Sequence, residues 1–223
     1  MVTREELIEL VSTDFSRYMH DQFLSTEQIN TAANQTGAVT KDLFNFHLET
    51  GIQSASFAKM YYAVPWFNPK YSTLQFKLQM NSMKDVEMYI GFHEAVIDPS
   101  ADSVDGDIRS HAGFFIINDV LYITTANEDN VKTIPLADID LTNSWLLKIE
   151  YDKFYTRPLP VIYPYFDGLR TEKPTRAWSL AAQASQYPPY NKLHYVQCYI
   201  KNTTNVNKYI DIKHITYGER YAD

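Results

Sequence analysis

This chain has one cysteine, few glycines, no basic block and no long apolar run, and each shortage removes a class of function. With Cys198 alone, no internal disulfide can form and no zinc site can be built on thiolates. Lys and Arg total 20 against 27 Asp and Glu, a net charge of −7. The basic residues nowhere cluster, which argues against nucleic acid and against anionic membrane surfaces as partners. No apolar stretch approaches the roughly 18 residues that a membrane-spanning helix needs, so no membrane insertion is expected. Met1-Val2-Thr3-Arg4-Glu5-Glu6 puts acidic groups where a secretory signal would need apolar ones, and the expectation is a soluble chain made without a signal peptide. No glycine-rich phosphate loop is present, and no internal repeat.

What the chain has in quantity is aromatic: 17 Tyr and 12 Phe, residues that suit half-buried pleated surfaces. Its 223 residues can bury a substantial core as one large sandwich, or as one such domain with an appendage.

The start of the chain reads as a helix. Thr3 and Glu6 have the spacing of a capping box. Leu7, Val11, Phe15, Tyr18, Met19 and Phe23 then recur at steps of three and four, the period of one helix face. Asn34-Gln35-Thr36-Gly37 reads as a loop, and residues 1–40 are taken as an amphipathic N-terminal arm and linker, with 41–223 as the sandwich domain.

Beyond residue 40 the period becomes two. Leu43–Glu49, Ser54–Tyr61, Thr73–Met80, Val86–His93, Ala112–Asn118 and Val120–Ala126 read as strands, the last two joined by Asn118-Asp119 in a tight hairpin. Ser144–Asp152, Val161–Phe166, Leu193–Lys201 and Lys208–Thr216 follow, giving about eleven strands, enough for two packed sheets.

Four stretches carry a resemblance: Tyr89-Ile90-Gly91-Phe92, Ala112-Gly113-Phe114 through Leu121-Tyr122, Trp145-Leu146-Leu147-Lys148-Ile149-Glu150-Tyr151, and Tyr165-Phe166-Asp167-Gly168. In them the chain resembles the concanavalin A-like lectin/glucanase superfamily, which includes laminin-G-like modules. The resemblance spans residues 43–216, departs at Asp119 where the family has Gly, and has no counterpart for the arm. It implies an all-β, concanavalin-like jelly-roll sandwich of two antiparallel sheets, and no particular activity.

The glucanases of that superfamily place carboxylates at alternate positions of one strand, so that they share a sheet face. Glu150-Tyr151-Asp152-Lys153-Phe154 has two of them, but Phe154 and Tyr155 stand where the third is needed. Lys148, Glu150 and Asp152 read instead as the wet face of a strand whose buried face is Trp145, Leu147, Ile149 and Tyr151. Asp98, Asp102, Asp105 and Asp107 form an acidic loop that could take Ca²⁺, yet they lack the spacing of a dedicated loop, so no cofactor is expected. His93 and His111 can approach each other at neighbouring strand ends, as satisfied or exposed residues rather than ligands. Cys198, between Val196 and Ile200 at alternate positions, reads as core. Asn34 and Asn202 begin Asn-X-Thr patterns.

Trp178, Tyr187 and Tyr190 lie in one Pro-containing loop, Trp66 and Tyr71 in another. Such rings either stack on sugars and partner proteins or close the ends of the sandwich. Three features set the functional expectation: no catalytic constellation, an amphipathic arm (Leu7, Val11, Phe15, Tyr18, Phe23), and no export signal on a fold used at surfaces. Together they point to a non-catalytic structural or receptor-facing subunit of a virion or phage particle. It would be partnered by other protein subunits and located on the particle, or otherwise in the cytoplasm. The alternative is a glycan-binding lectin-like module, with a divergent glycoside hydrolase third.

Overall fold

The computed structural model describes residues 18–23, 28–42, 45–68, 72–136, 139–152, 157–166, 169–170 and 192–220, and among these it is all-β. The strands begin with β1 (Tyr18–Phe23), β2 (Ile29–Ala33), β3 (Ala38–Lys41), β4 (Phe46–Glu49) and β5 (Phe57–Tyr62). β6 (Ser72–Met80), β7 (Val86–His93), β8 (His111–Ile117), β9 (Val120–Ala126) and β10 (Val131–Leu136) follow. β11 (Trp145–Asp152), β12 (Arg157–Phe166), β13 (Leu169–Arg170), β14 (Tyr195–Asn202) and β15 (Tyr209–Arg220) complete the order.

Two antiparallel sheets result. One has eight strands in the order β13-β12-β11-β6-β15-β4-β3, with β1 on β15; the other has seven, β10-β9-β8-β7-β14-β5-β2. Alternation builds the layer between them. Leu74, Phe76 and Leu78 of β6 face Met88, Ile90 and Phe92 of β7 and Val196, Cys198 and Ile200 of β14 within one buried cluster. Each large apolar side chain so enclosed contributes about 1.5–3 kcal/mol. Cys198 is part of this core, and burial pushes its thiol well above the ordinary value.

The hairpin turns follow local chemistry. Asn118 and Asp119 both adopt positive φ (50° and 64°), which lets the β8–β9 turn match the twist of its strands without a glycine. Gly37 closes the β2–β3 connection, where a Cβ would sit 2.1 Å from the Phe57 carbonyl oxygen.

The N-terminal region departs from the helical reading. Tyr18–Phe23 is a strand whose Asp21 and Phe23 pair with Gly218 and Thr216. β15 explains why: β4 covers only its first half, and β1 supplies hydrogen bonds to the second half, so a distant strand overrides the local period. The sandwich also begins before residue 40, because β2 and β3 are edge strands of the two sheets. Leu7, Val11 and Phe15 lie outside the described residues. A second departure is Lys148, which is buried, as is Gln75 opposite it on β6, so this part of β11 is not a wet face. Leu147 and Ile149 are core as expected. The Glu150 and Asp152 side chains lie outside the described residues.

Candidate functional site

The outward face of the seven-stranded sheet carries the chemistry. Along β7, Glu87, Tyr89, Gly91 and His93 alternate with the core residues and so point away from the other sheet. Register extends this face sideways. Tyr89 lies opposite Phe115 and Tyr199, Gly91 opposite Gly113 and Gln197, and His93 opposite His111 and Tyr195. Gln197 in turn lies opposite Tyr61, and Tyr61 opposite Asn30.

The paired glycines make a trough for one ring. A Cβ on Gly113 would sit 2.5 Å from the Ile90 carbonyl oxygen and 2.8 Å from Cε2 of Tyr89. Tyr89 therefore lies across the glycines, its buried hydroxyl 2.8 Å from the Phe92 carbonyl and 3.2 Å from that of Ala112.

Residues 94–110 fold over this face. Ile97 and Val104 join Tyr89, Phe115 and Tyr199 in a second buried cluster. Gln197 fastens the loop, accepting from the Ile97 amide at 2.9 Å and donating to the Ala95 carbonyl at 2.8 Å. Lys59 Nζ donates to the Ile97 carbonyl at 2.9 Å. The acidic stretch is a cover with a core of its own.

Its charges are organised around Arg109. The guanidinium grips Asp107 with Nε at 2.9 Å and Nη2 at 2.7 Å from Oδ2, and reaches Asp102 at 3.5 Å. His93 Nε2, fully shielded from solvent, lies 3.2 Å from the same Asp107 oxygen. Burial would raise the Asp107 carboxyl, yet the hydrogen bonds from His93 and Arg109 outweigh it and hold the group well below the carboxylate range. Asp98 caps its own turn through Ser100, which lowers its pKa, and its amide donates to Asp102 at 3.0 Å. Asp105 is exposed beside Gly106. Among the described residues, no three of His, Cys, Asp and Glu converge as a metal-binding set.

Two further histidines are buried beside this cluster. The rings of His93 and His111 stack 5.4 Å apart, as their place at neighbouring strand ends suggests. His111 is satisfied by the Arg109 carbonyl at 2.7 Å and the Thr124 hydroxyl at 2.9 Å, and burial pushes its pKa down to about 3. His194 Nε2 meets the Ser110 hydroxyl at 2.7 Å, and burial lowers its pKa to about 4. This Ser–His contact has the form of a nucleophile and its base. However, both residues are shielded from solvent, and His194 Nδ1 has no hydrogen-bond partner, so no carboxylate orients the ring. The pair is structural.

Of the aromatic residues singled out from sequence, Trp66 is half-buried and packs edge-on against Tyr62, Phe67 and Tyr217, closing the end of the core. Tyr71, Trp178, Tyr187 and Tyr190 lie outside the described residues. Among the described residues, the half-buried rings on the outer face include Tyr61 and Tyr195, in adjacent strands beside the loop, and Tyr122 on β9, stacked on Phe115. Lys59 Nζ stands 5.4 Å from the centre of the Tyr61 ring, and Asn30 is exposed on the neighbouring edge strand. A search for aromatic rings confined to loops passes these by. Their signal was the strand period itself, Lys59 and Tyr61 alternating with core residues, as do Tyr195, Gln197 and Tyr199. The Asn-X-Thr pattern at Asn202 has a structural use: that side chain is buried and donates to the Val206 carbonyl at 2.8 Å.

No family model and no curated protein matches the sequence. Solved structures do match. A legume lectin-like domain from Entamoeba histolytica aligns with a TM-score of 0.62 at 13% identity, over 88% of this chain and 92% of that one. The fold is that of a legume-lectin-like sandwich. The VIP36 exoplasmic/lumenal domain, in its Ca²⁺/Man3GlcNAc-bound form, aligns at 0.55 and 10% identity over 89% and 86% of the two chains. A protein from a study of endo-acting O-glycanases of the human gut microbiota aligns at 0.59 and 9% over 92% and 100%.

Proposed function

We propose that this chain is a glycan-binding, lectin-like module without hydrolytic activity, its ligand resting on Tyr61 and Tyr195 beside the 94–110 loop. The observation that carries this reading is the combination of two half-buried rings on adjacent strands with a loop packed onto the same face through Ile97 and Val104. Ring faces of this kind stack on the apolar faces of sugars, and Lys59 and Asn30 add polar groups at the border. The lectin-like structures of similar fold support glycan binding over a particle subunit. The particle reading also drew on an amphipathic helix, part of which is strand β1. Phe154 and Tyr155, standing where the glucanase pattern needs its third carboxylate, support binding without turnover over glycanase activity.

The test is retention on immobilised mannan and on immobilised mucin, with the eluate assayed for released reducing ends. The expected outcome is retention on at least one matrix, competed by soluble sugar, and no release above background. Release abolished by Glu150→Gln would overturn the non-catalytic reading.

A further inference from the structure

Between residues 94 and 110 the sequence carries five carboxylates, Glu94, Asp98, Asp102, Asp105 and Asp107, and a single cation, Arg109. Carboxylates crowded on a loop repel one another unless a cation answers them, and a bound divalent ion is the usual means. Here the guanidinium stands in that place. It is bidentate on Asp107, Nε donating to Oδ1 at 3.1 Å and Nη2 to Oδ2 at 2.7 Å, and reaches across to Asp102 on the other limb of the loop. Asp102 passes the connection on by accepting from the Asp98 amide at 3.0 Å. Lys59, from β5, brings a second positive charge that interacts with Asp98 and Asp102, and it donates to the Ile97 carbonyl on the same limb. Lys59 also lies over the Tyr61 ring, so the chain of contacts from Arg109 ends at the edge of the proposed glycan platform.

We infer that Arg109 is a positioning residue that acts as a built-in cation, holding the 94–110 loop closed over the sheet and setting the platform's edge without a divalent metal. The inference rests on the glycan-binding reading for its consequence, but its structural half stands apart from it. A fixed, planar donor pair suits Asp107 as no ammonium can, so lysine at this position keeps the charge and loses the clamp.

Hydrogen exchange of the 94–110 amides, together with retention on immobilised mannan and mucin, tests it in the full chain. In the wild type, EDTA and added Ca²⁺ leave both readouts unchanged. Arg109→Gln speeds exchange across the loop by about tenfold or more and weakens retention, with Arg109→Lys intermediate. Low-millimolar guanidinium slows exchange in Arg109→Ala and has no effect on the wild type, a rescue that a mere packing role would not give. Faster exchange of the wild-type loop in EDTA would overturn the inference even if no variant folds, and so would unchanged exchange in a folded Arg109→Gln. Should neither matrix retain the wild type, the glycan reading falls, while loop exchange still decides the role of Arg109.

Discussion

Replacing Asp107 with alanine should destabilise the protein by about 3 kcal/mol, more than most single substitutions on its surface. The Asp107 side chain is 7% exposed and answers two cationic or donor groups at once. Its removal leaves His93, fully enclosed, facing an empty position, and frees the loop limb that Arg109 anchors. The loss falls at the lower end for a broken buried pair, because Arg109 is about one-third exposed and can turn toward water. Asp107→Asn keeps an oxygen for the Arg109 amide and should cost about half as much. Urea unfolding at neutral pH checks both values. A loss below about 1 kcal/mol for the alanine variant would mean that Ile97 and Val104 hold the loop unaided.

Acid should unfold this protein early, and the buried histidines give the direction. His111 and His194 sit at about 3 and about 4, against 6.5 for an unhindered imidazole. Burial is the leading cause for both, and the neighbouring His93 adds to it. The unfolded chain takes up these protons near pH 6.5, whereas the folded chain refuses them until much lower pH. Stability from neutral burial is therefore complete above about pH 6.5 and is lost progressively as pH falls toward 4. Two such groups give a slope approaching about 2.7 kcal/mol per pH unit. Asp107, held low by His93 and Arg109, adds its own loss only below the ordinary carboxylate value of 3.8. Urea midpoints between pH 7.5 and 4.5 should fall steeply below 6.5. A flat profile from 7 to 5 would show that the histidines become accessible without unfolding.

What could be read in the sequence was whatever a period of two encodes. Val86–His93 and Val120–Ala126 match β7 and β9 to the residue, because each starts directly after a turn, at Asp85 and at Asn118-Asp119. Cys198 was legible as core because it alternates with Val196 and Ile200. β1, β2 and β3 were not: β1 depends on β15, nearly two hundred positions away, while β2 and β3 are edge strands paired on one side only, to β5 and β4. The candidate site divided in the same manner. The approach of His93 and His111 followed from strand register. The role of Arg109 did not, because its partners are set by how the loop folds back on Tyr89, Phe115 and Tyr199. Tyr61 and Tyr195 were hidden among the tyrosines of β5 and β14, and only the pairing of those strands, with Tyr61 opposite Gln197, sets them diagonally on one face.

The central claim is that sugars bind on the outer face of the seven-stranded sheet, and the double variant Tyr61→Ala/Tyr195→Ala tests it most directly. Both rings are half-buried on the solvent side of their strands, so the variant should fold and keep its melting temperature to within a few degrees. Its affinity for the retaining matrix, mannan or mucin, should fall at least about tenfold, the loss of roughly 1.4 kcal/mol of stacking. Undiminished retention by the folded double variant would place the ligand elsewhere and contradict the account.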